Sequence, residues 1–270
     1  MGLRVNTNLF AMNAQRNLSN VSERLGGNFA RLSSGLRITS ASDDAAGLGI
    51  SERMRSQIRS FSQAGRNAQD GISLAQTAES ALNEVGANLT RMRELAVQAS
   101  NETLSAEDRE AIDVEFQALD DEINRIATQT EFNDINLLDD TADLDIQVGI
   151  DDGQTIAVST EDVQSSTLGI DSLAVDTAAN ASSALADIDT ALQSVNTARG
   201  NLGASINRLS SAFRSIQATR EGLSAAESRI RDVDVAQESA DLTRNSILQQ
   251  AAVSIMSQAN VQPQLALSLL

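Results

Sequence analysis

The 270-residue sequence contains no cysteine, histidine, lysine, tryptophan or tyrosine. Each absence closes a class of chemistry. Without Cys there is no disulfide framework. With neither Cys nor His, the usual zinc sites, thiol nucleophiles and His-based triads are excluded. Without Lys, the only amine open to methylation or labelling is the α-amino group. A single proline, Pro263, and 2% aromatics, all Phe, suit long helices packed through Ala, Leu, Ile and Val better than a large mixed core. No apolar run approaches the ~18 residues of a membrane span. The opening MGLRVNTNLFAMNAQRNLSN also lacks the continuous apolar segment of a cleavable secretory signal.

What is present is acidic and unevenly placed. The formal charge of -17 repels phosphate and argues against a nucleic-acid partner. Residues 1–66 carry nine arginines against four carboxylates, whereas residues 101–190 carry two against twenty-three. Residues 191–270 are nearly balanced, at seven against six. The two ends and the middle therefore expect different surroundings, with the acidic middle solvated.

Apolar periodicity sets the fold class: mainly α, long coiled-coil rods with one small β-hairpin region. Ile188, Val195, Leu202, Leu209, Ile216, Leu223 and Ile230 recur every seven residues, beside a more mixed seam through Leu185, Leu192, Arg199, Ile206, Phe213, Arg220 and Glu227. Heptads sustained this long are a coiled-coil signature. Phe61, Ala68, Ala75, Leu82, Leu89 and Ala96 give an Ala-rich version inside a stretch, 45–99, that would extend about 80 Å as one helix. Ile112, Phe116, Leu119, Ile123 and Ile126 mark a further helix, with Ser105 as its N-cap. The ends carry stripes of their own, Phe10, Ala14, Leu18, Val21, Leu25 and Leu32 in the first segment and Ile247, Ala251, Ile255 and Ala259 in the last. Gly26 and Gly27 each cost the first helix about 1 kcal/mol relative to Ala, so these end helices are marginal alone and need a partner.

Two stretches interrupt the helices. In SGLRITSASDDAAG, Gly35 stops one helix, and Ser42, Asp43 and Asp44 cap another beginning near Ala45. In LDIQVGIDDGQTIAV, alternation on both sides of Asp152-Gly153 predicts a β-hairpin. The Ser/Thr/Asp-rich run that follows reads as loop with short elements. The carboxylate pairs are accounted for by capping and turns, GGNFAR and GLGISER lack the spacing of a nucleotide fingerprint, and no enzyme, cofactor or metal site is expected.

Several long motifs resemble bacterial flagellin, the subunit of the flagellar filament: RLSSGLRITSASDDAAGLGISERM at 31–54, GISLAQTAESALNEV at 71–85, RMRELAVQASN at 91–101 and LSAAESRIRDVDVAQESADLTRNSILQQAAVSIMSQANVQPQLALSLL at 223–270. The resemblance implies a secreted, extracellular protein that self-assembles into a helical homopolymer for swimming motility. It further implies an N-terminal inner-core helix and spoke linker at 1–44, a rod with the hairpin at 45–178, a C-terminal rod helix at 179–234 and a C-terminal inner-core helix at 235–270. About twenty weakly patterned residues stand where many flagellins insert large outer domains. Implied partners are flagellar cap and hook-junction proteins, an export chaperone on the C-terminal segment and the flagellin-sensing Toll-like receptor of vertebrates. Arg91, Leu95 and Glu115 match the family's receptor-recognition and inter-subunit patch, and Leu267, Leu269 and Leu270 its terminal assembly segment. Arg91 and Leu95, four apart, would share one helix face. Two other readings stay open: a hook–filament junction protein, expected to diverge at DDAAG and ILQQA, and an unrelated coiled-coil scaffold, which explains the heptads but not the motif series.

Overall fold

A computed structural model describes residues 7–267, with side chains through residue 261. The helices are α1 (Leu9–Ser34), α2 (Ala45–Ala99), α3 (Ala106–Gln129), α4 (Ser165–Leu168), α5 (Ala178–Arg231) and α6 (Val235–Leu267). Between α3 and α4 lie four strands, β1 (Glu131–Phe132), β2 (Ile135–Asn136), β3 (Asp143–Gln147) and β4 (Thr155–Ser159). The chain divides into two compact units, and the divisions fall inside α2 and α5. One unit is Gln57–Glu221; the other combines Met1–Ser56 with Gly222–Leu270.

The Gln57–Glu221 unit is built on buried rows with alternating three- and four-residue spacing. In α2 the rows run Ala64, Ala68, Gly71, Ala75, Ala78, Leu82, Val85, Leu89, Met92, Ala96 and Ala99. The expected α2 seam from Ala68 to Ala96 lies on them. In α5, Ile188, Val195, Leu202, Leu209 and Ile216 are buried as the heptads require. Their companion row differs from expectation. Ala184, Ala191, Ala198 and Ser205 are buried, while Leu185, Leu192, Arg199 and Ile206, one residue on, are only half-buried and flank the seam. Hydrophobic content favours the leucines, but small side chains occupy the row where neighbouring elements converge.

Side-chain contacts give the directions. Arg93 pairs with Asp189 at 2.7 Å, and Gly65 lies against Phe213 and Ile216, so α2 and α5 run antiparallel. Arg91 reaches Glu115, and the Arg109 guanidinium donates to the Ala99 carbonyl, so α3 folds back along α2. The α3 start is a capping box. Ser105 Oγ accepts from the Asp108 amide, and the Asp108 carboxylate accepts from the Ser105 amide.

The β3–β4 hairpin pairs Leu144 with Val158 and Ile146 with Ile156, with Gly153 at φ 75° in its turn. This is the hairpin the alternation predicts. Its Ile146 side chain approaches α2 so closely at Gly71 that a Cβ there would sit 2.9 Å away. Glycine at 71 is therefore a packing requirement. The β1–β2 hairpin was not legible as periodicity. It turns through Asn133 and Asp134, both at positive φ (51° and 62°), a conformation these two residue types tolerate and primed turns demand.

One buried group in α3 is poorly satisfied. Asp120 is buried, and its Oδ1 has no hydrogen-bond partner among the described residues. Burial, aided by Asp121 and Asp171, pushes its pKa above the ordinary carboxylate value, while Ser165 pulls the other way. The raised folded-state value means that ionising Asp120 opposes folding at neutral pH, and that this opposition fades as pH falls through that value. Asp120→Asn should therefore raise the melting temperature at pH 7, with the gain shrinking in thermal melts taken near pH ~4. A variant less stable at pH 7 would contradict this account.

Candidate assembly surfaces

In the unit formed by the two chain ends, α1 and α6 pair antiparallel. Asn8 Nδ2 donates to the Ala259 carbonyl at 2.7 Å, Gln249 to Ser22 Oγ at 3.4 Å, and Asn245 Nδ2 to Asn28 Oδ1 at 2.8 Å. The covered face of α1 follows Ala11, Ala14, Leu18, Val21, Leu25, Asn28 and Leu32. This agrees with the expected stripe except at Phe10, which is exposed. The covered face of α6 follows Glu238, Leu242, Asn245, Gln249, Ala252, Met256 and Ala259.

That second row corrects the stripe expected for the last helix. Ile247 is 60% and Ile255 57% exposed, Ala251 is exposed too, and only Ala259 of the four is buried. The physical reason is that α1 takes the face of α6 whose polar and small side chains it can bond and interlock with. The more apolar face stays uncovered. Leu248, Val253 and Val261 on α6, and Leu9, Phe10, Met12 and Phe29 on α1, are exposed as well. Apolar side chains displayed this densely mark an interaction surface.

The stretch between α1 and α2 is a tied joint. Gly35 ends α1 at φ 72°, donating to the Arg31 carbonyl. Its own carbonyl accepts from the Val233 amide at 3.0 Å, and the Arg37 amide donates to the Arg231 carbonyl at 2.6 Å. These bonds splice the first linker to the α5–α6 junction. The buried Arg231 guanidinium donates to Glu52 at 2.6 Å, which holds the Glu52 carboxyl below its usual range. Asp44 Oδ1 accepts from the Gly47 amide, the cap expected from sequence, and a Cβ at Gly47 would strike Asp44 and the buried Ile38. Asp43 does different work. Its Oδ2 accepts from the hydroxyls and amides of Thr39 and Ser40, at 2.9–3.1 Å, gathering the linker around one carboxylate.

The third surface lies on α2 and α3. Arg91 bonds Glu115 at 2.8 Å and Glu94 at 3.0 Å, and all three are about half exposed. Leu95 does not join them. It is 2% exposed and packs in the core, because the row Met92, Leu95, Ala96, Ala99 faces inward while Arg91 and Glu94 flank it. The large apolar residues exposed on this stretch of α2 and α3 are Val97 and Val114. Leu267 ends α6, and its side chain, like Leu269 and Leu270, lies outside the described residues. Among the described residues, no cluster of three or more carboxylates could hold a metal ion, although the middle of the chain is rich in them.

The joint carries a pH signature. Hydrogen bonds from Thr39 first, then Ser40, hold the Asp43 carboxyl well below the ordinary aspartate range. A depressed folded-state value contributes stability that is complete above the unfolded value and is lost only as pH falls through the folded one. Amide exchange at Thr39 and Ser40 should thus stay slow at pH ~4, within the ordinary carboxylate range, and be faster in Asp43→Ala at pH ~4 and at neutral pH. Equal exchange in the two proteins would remove Asp43 from this role.

Known proteins match this chain along both its N-terminal and C-terminal parts. Residues 5–143 match the bacterial flagellin N-terminal helical region, and residues 185–270 match the bacterial flagellin C-terminal helical region. A flagellin of Halalkalibacterium halodurans is 50% identical over 269 residues, spanning 98% of this chain and 99% of its own. A flagellin of Bacillus subtilis is 43% identical over 303 residues, spanning 99% and 100%. The crystal structure of Bacillus cereus flagellin, 36% identical, superposes with a TM-score of 0.52 over 56% of this chain and 88% of that one. Antiparallel end helices, long heptad helices and matches along nearly the whole length agree: the chain belongs to the bacterial flagellin family and is a subunit of the flagellar filament.

Proposed function

We propose that this flagellin assembles chiefly by covering the apolar faces that the α1–α6 pair leaves exposed, each chain burying them against other copies of itself. The observation that carries the reading is the inversion on α6. The polar row meets α1 of the same chain, while Ile247 and Ile255 are held outward. Burying an isoleucine side chain is worth about 1.5–3 kcal/mol, so a few such side chains per subunit, repeated along a polymer, are a substantial driving force. In this reading residues 1–44 and 235–270 act as inner-core segments, and 45–178 with 179–234 act as the rod. The role is mechanical and not enzymatic.

Further partners follow from the same surfaces. An export chaperone would mask the apolar face of 235–270 before assembly, and cap and hook-junction proteins would engage it at the filament's two ends. Leu267, Leu269 and Leu270 would serve as the terminal assembly segment. Arg91 and Glu115 would form a contact patch on the rod, joined by Val97 or Val114 in place of the buried Leu95. The flagellin-sensing Toll-like receptor of vertebrates would use the patch on free subunits, and neighbouring rods would use it in the filament.

Two measurements test these proposals. Ile247→Asp combined with Ile255→Asp should abolish polymer in sedimentation and electron microscopy while leaving the melting of the rod unchanged. Filaments of normal yield would refute the assembly surface. Arg91→Ala, which removes a frequent type of interface anchor worth about 2 kcal/mol, should weaken both polymerisation and signalling by monomer in receptor-bearing cells. Undiminished signalling would detach the receptor from this patch.

A further inference from the structure

Within the α1–α6 seam, three polar side chains form one continuous chain of hydrogen bonds. Asn28 is 7% and Glu238 8% exposed. Asn28 Nδ2 donates to Glu238 Oε1 at 2.5 Å, and Asn28 Oδ1 accepts from Asn245 Nδ2 at 2.8 Å. Glu238 and Asn245 are seven residues apart, so they occupy equivalent positions on successive heptads with Asn28 seated between them. The chemistry admits few substitutes. The carboxylate accepts only, so it needs a donor, while the Asn245 amide presents a donor that needs an acceptor. A primary amide supplies both from a single side chain. Arg31, one turn on, approaches Glu238 at 3.9 Å and Asp43 at 3.5 Å, which links the buried carboxylate to the joint.

We propose that Asn28, Glu238 and Asn245 are the specificity-determining residues of end-helix pairing, pinning α1 to the α6 of its own chain in one antiparallel register. The apolar residues of the seam do not enforce a register, and the other polar contacts across it, Asn8 to the Ala259 carbonyl and Gln249 to Ser22, are not buried. Ala11, Ala14, Ala252 and Ala259 are small and alike, and Leu18, Leu25 and Leu32 repeat every seven residues. A slip of one heptad would leave such side chains in equivalent surroundings. The polar trio is different: after a one-heptad slip Asn28 can stay beside only one of Glu238 and Asn245, and the slip that parts it from Glu238 leaves a buried carboxylate without that donor. A single buried polar position specifying register at a cost in stability is a known device of helical pairs. Here it has a second consequence. By directing α1 to the polar face of α6, it keeps the apolar face free for other copies. The pin is a property of one chain, so its failure would leave the assembly surface standing.

The natural absence of cysteine makes a direct test clean. Ser22 and Gln249 touch across the pair, so Ser22→Cys with Gln249→Cys reports the native register. Ser22→Cys with Leu242→Cys or with Met256→Cys reports a slip of one heptad either way. Each full-length double variant is oxidised under assembly conditions, and its disulfide is located by peptide mass and by mobility on a non-reducing gel. With Asn28 present, the native pair should close several-fold more completely than either slipped pair, within one chain. In Asn28→Leu the native bond should fall and the slipped bonds rise to comparable yield. Should Asn28→Leu fail to pair at all, the triple variant with Glu238→Leu and Asn245→Leu restores an apolar seam. It should melt at higher temperature and yet close native and slipped pairs alike. Native closure alone in the triple variant would overturn the proposal and assign register to the joint at Gly35, Arg37 and Arg231. Cross-linked dimers in the background with Asn28 would overturn it too, by giving α1 a partner in another chain.

Discussion

The antiparallel pairing of the two chain ends is the interaction on which the assembly surfaces depend. It is made by the less apolar face of α6, through Asn245, Gln249 and Glu238, together with small residues such as Ala252 and Ala259. A pair assembled purely on hydrophobicity would bury Ile247 and Ile255 inside the chain and present polar side chains outward. Such a subunit would have little apolar surface left to offer another copy. Polar specificity within the chain and apolar surface between chains are thus two sides of one helix.

The linker ties the end-helix pair to the start of α2 and the end of α5. Gly35, Arg37 and Val233 exchange backbone bonds with the opposite strand of the joint, and Arg231 reaches Glu52 at the start of α2. These contacts connect the turn leaving α1 with the turn entering α6. Both crossings between an end helix and a long helix are therefore held at one place. The Asp43 cluster stiffens the intervening Thr39–Ser40 segment without needing a core, which a ten-residue linker lacks the apolar content to build.

In the Gln57–Glu221 unit the same economy of side-chain size appears. Alanine, glycine and serine occupy half of the buried rows of α2 and α5, and the hairpin Ile146 closes on Gly71 with no room for a Cβ. The acidic surplus of residues 101–190 lies mostly on exposed positions, and few of its carboxylates have a cation. Asp120 is the exception, a carboxylate taken into the packing between α3 and α4 without a full set of partners.

Periodicity, caps and turns were determined locally and could be read directly. The heptads of α2 and α5 with their buried Ala68–Ala96 and Ile188–Ile216 rows, the Ser105 and Asp44 caps, the Gly35 stop and the β3–β4 hairpin each follow from neighbours within a few residues. The β1–β2 hairpin also had a local signal, Asn133-Asp134 between Phe132 and Ile135, but its two-residue strands are too short to show alternation. Which face of α6 meets α1, which of Ala184 or Leu185 enters the seam, and whether Leu95 stands beside Arg91 or beneath it were decided only by tertiary structure. A heptad pattern ranks faces by hydrophobicity, whereas packing chooses among them by fit, by hydrogen-bond partners and by what must be left exposed. Asn28, Glu238 and Asn245 look like ordinary surface residues until α1 and α6, some two hundred residues apart in the chain, are brought together.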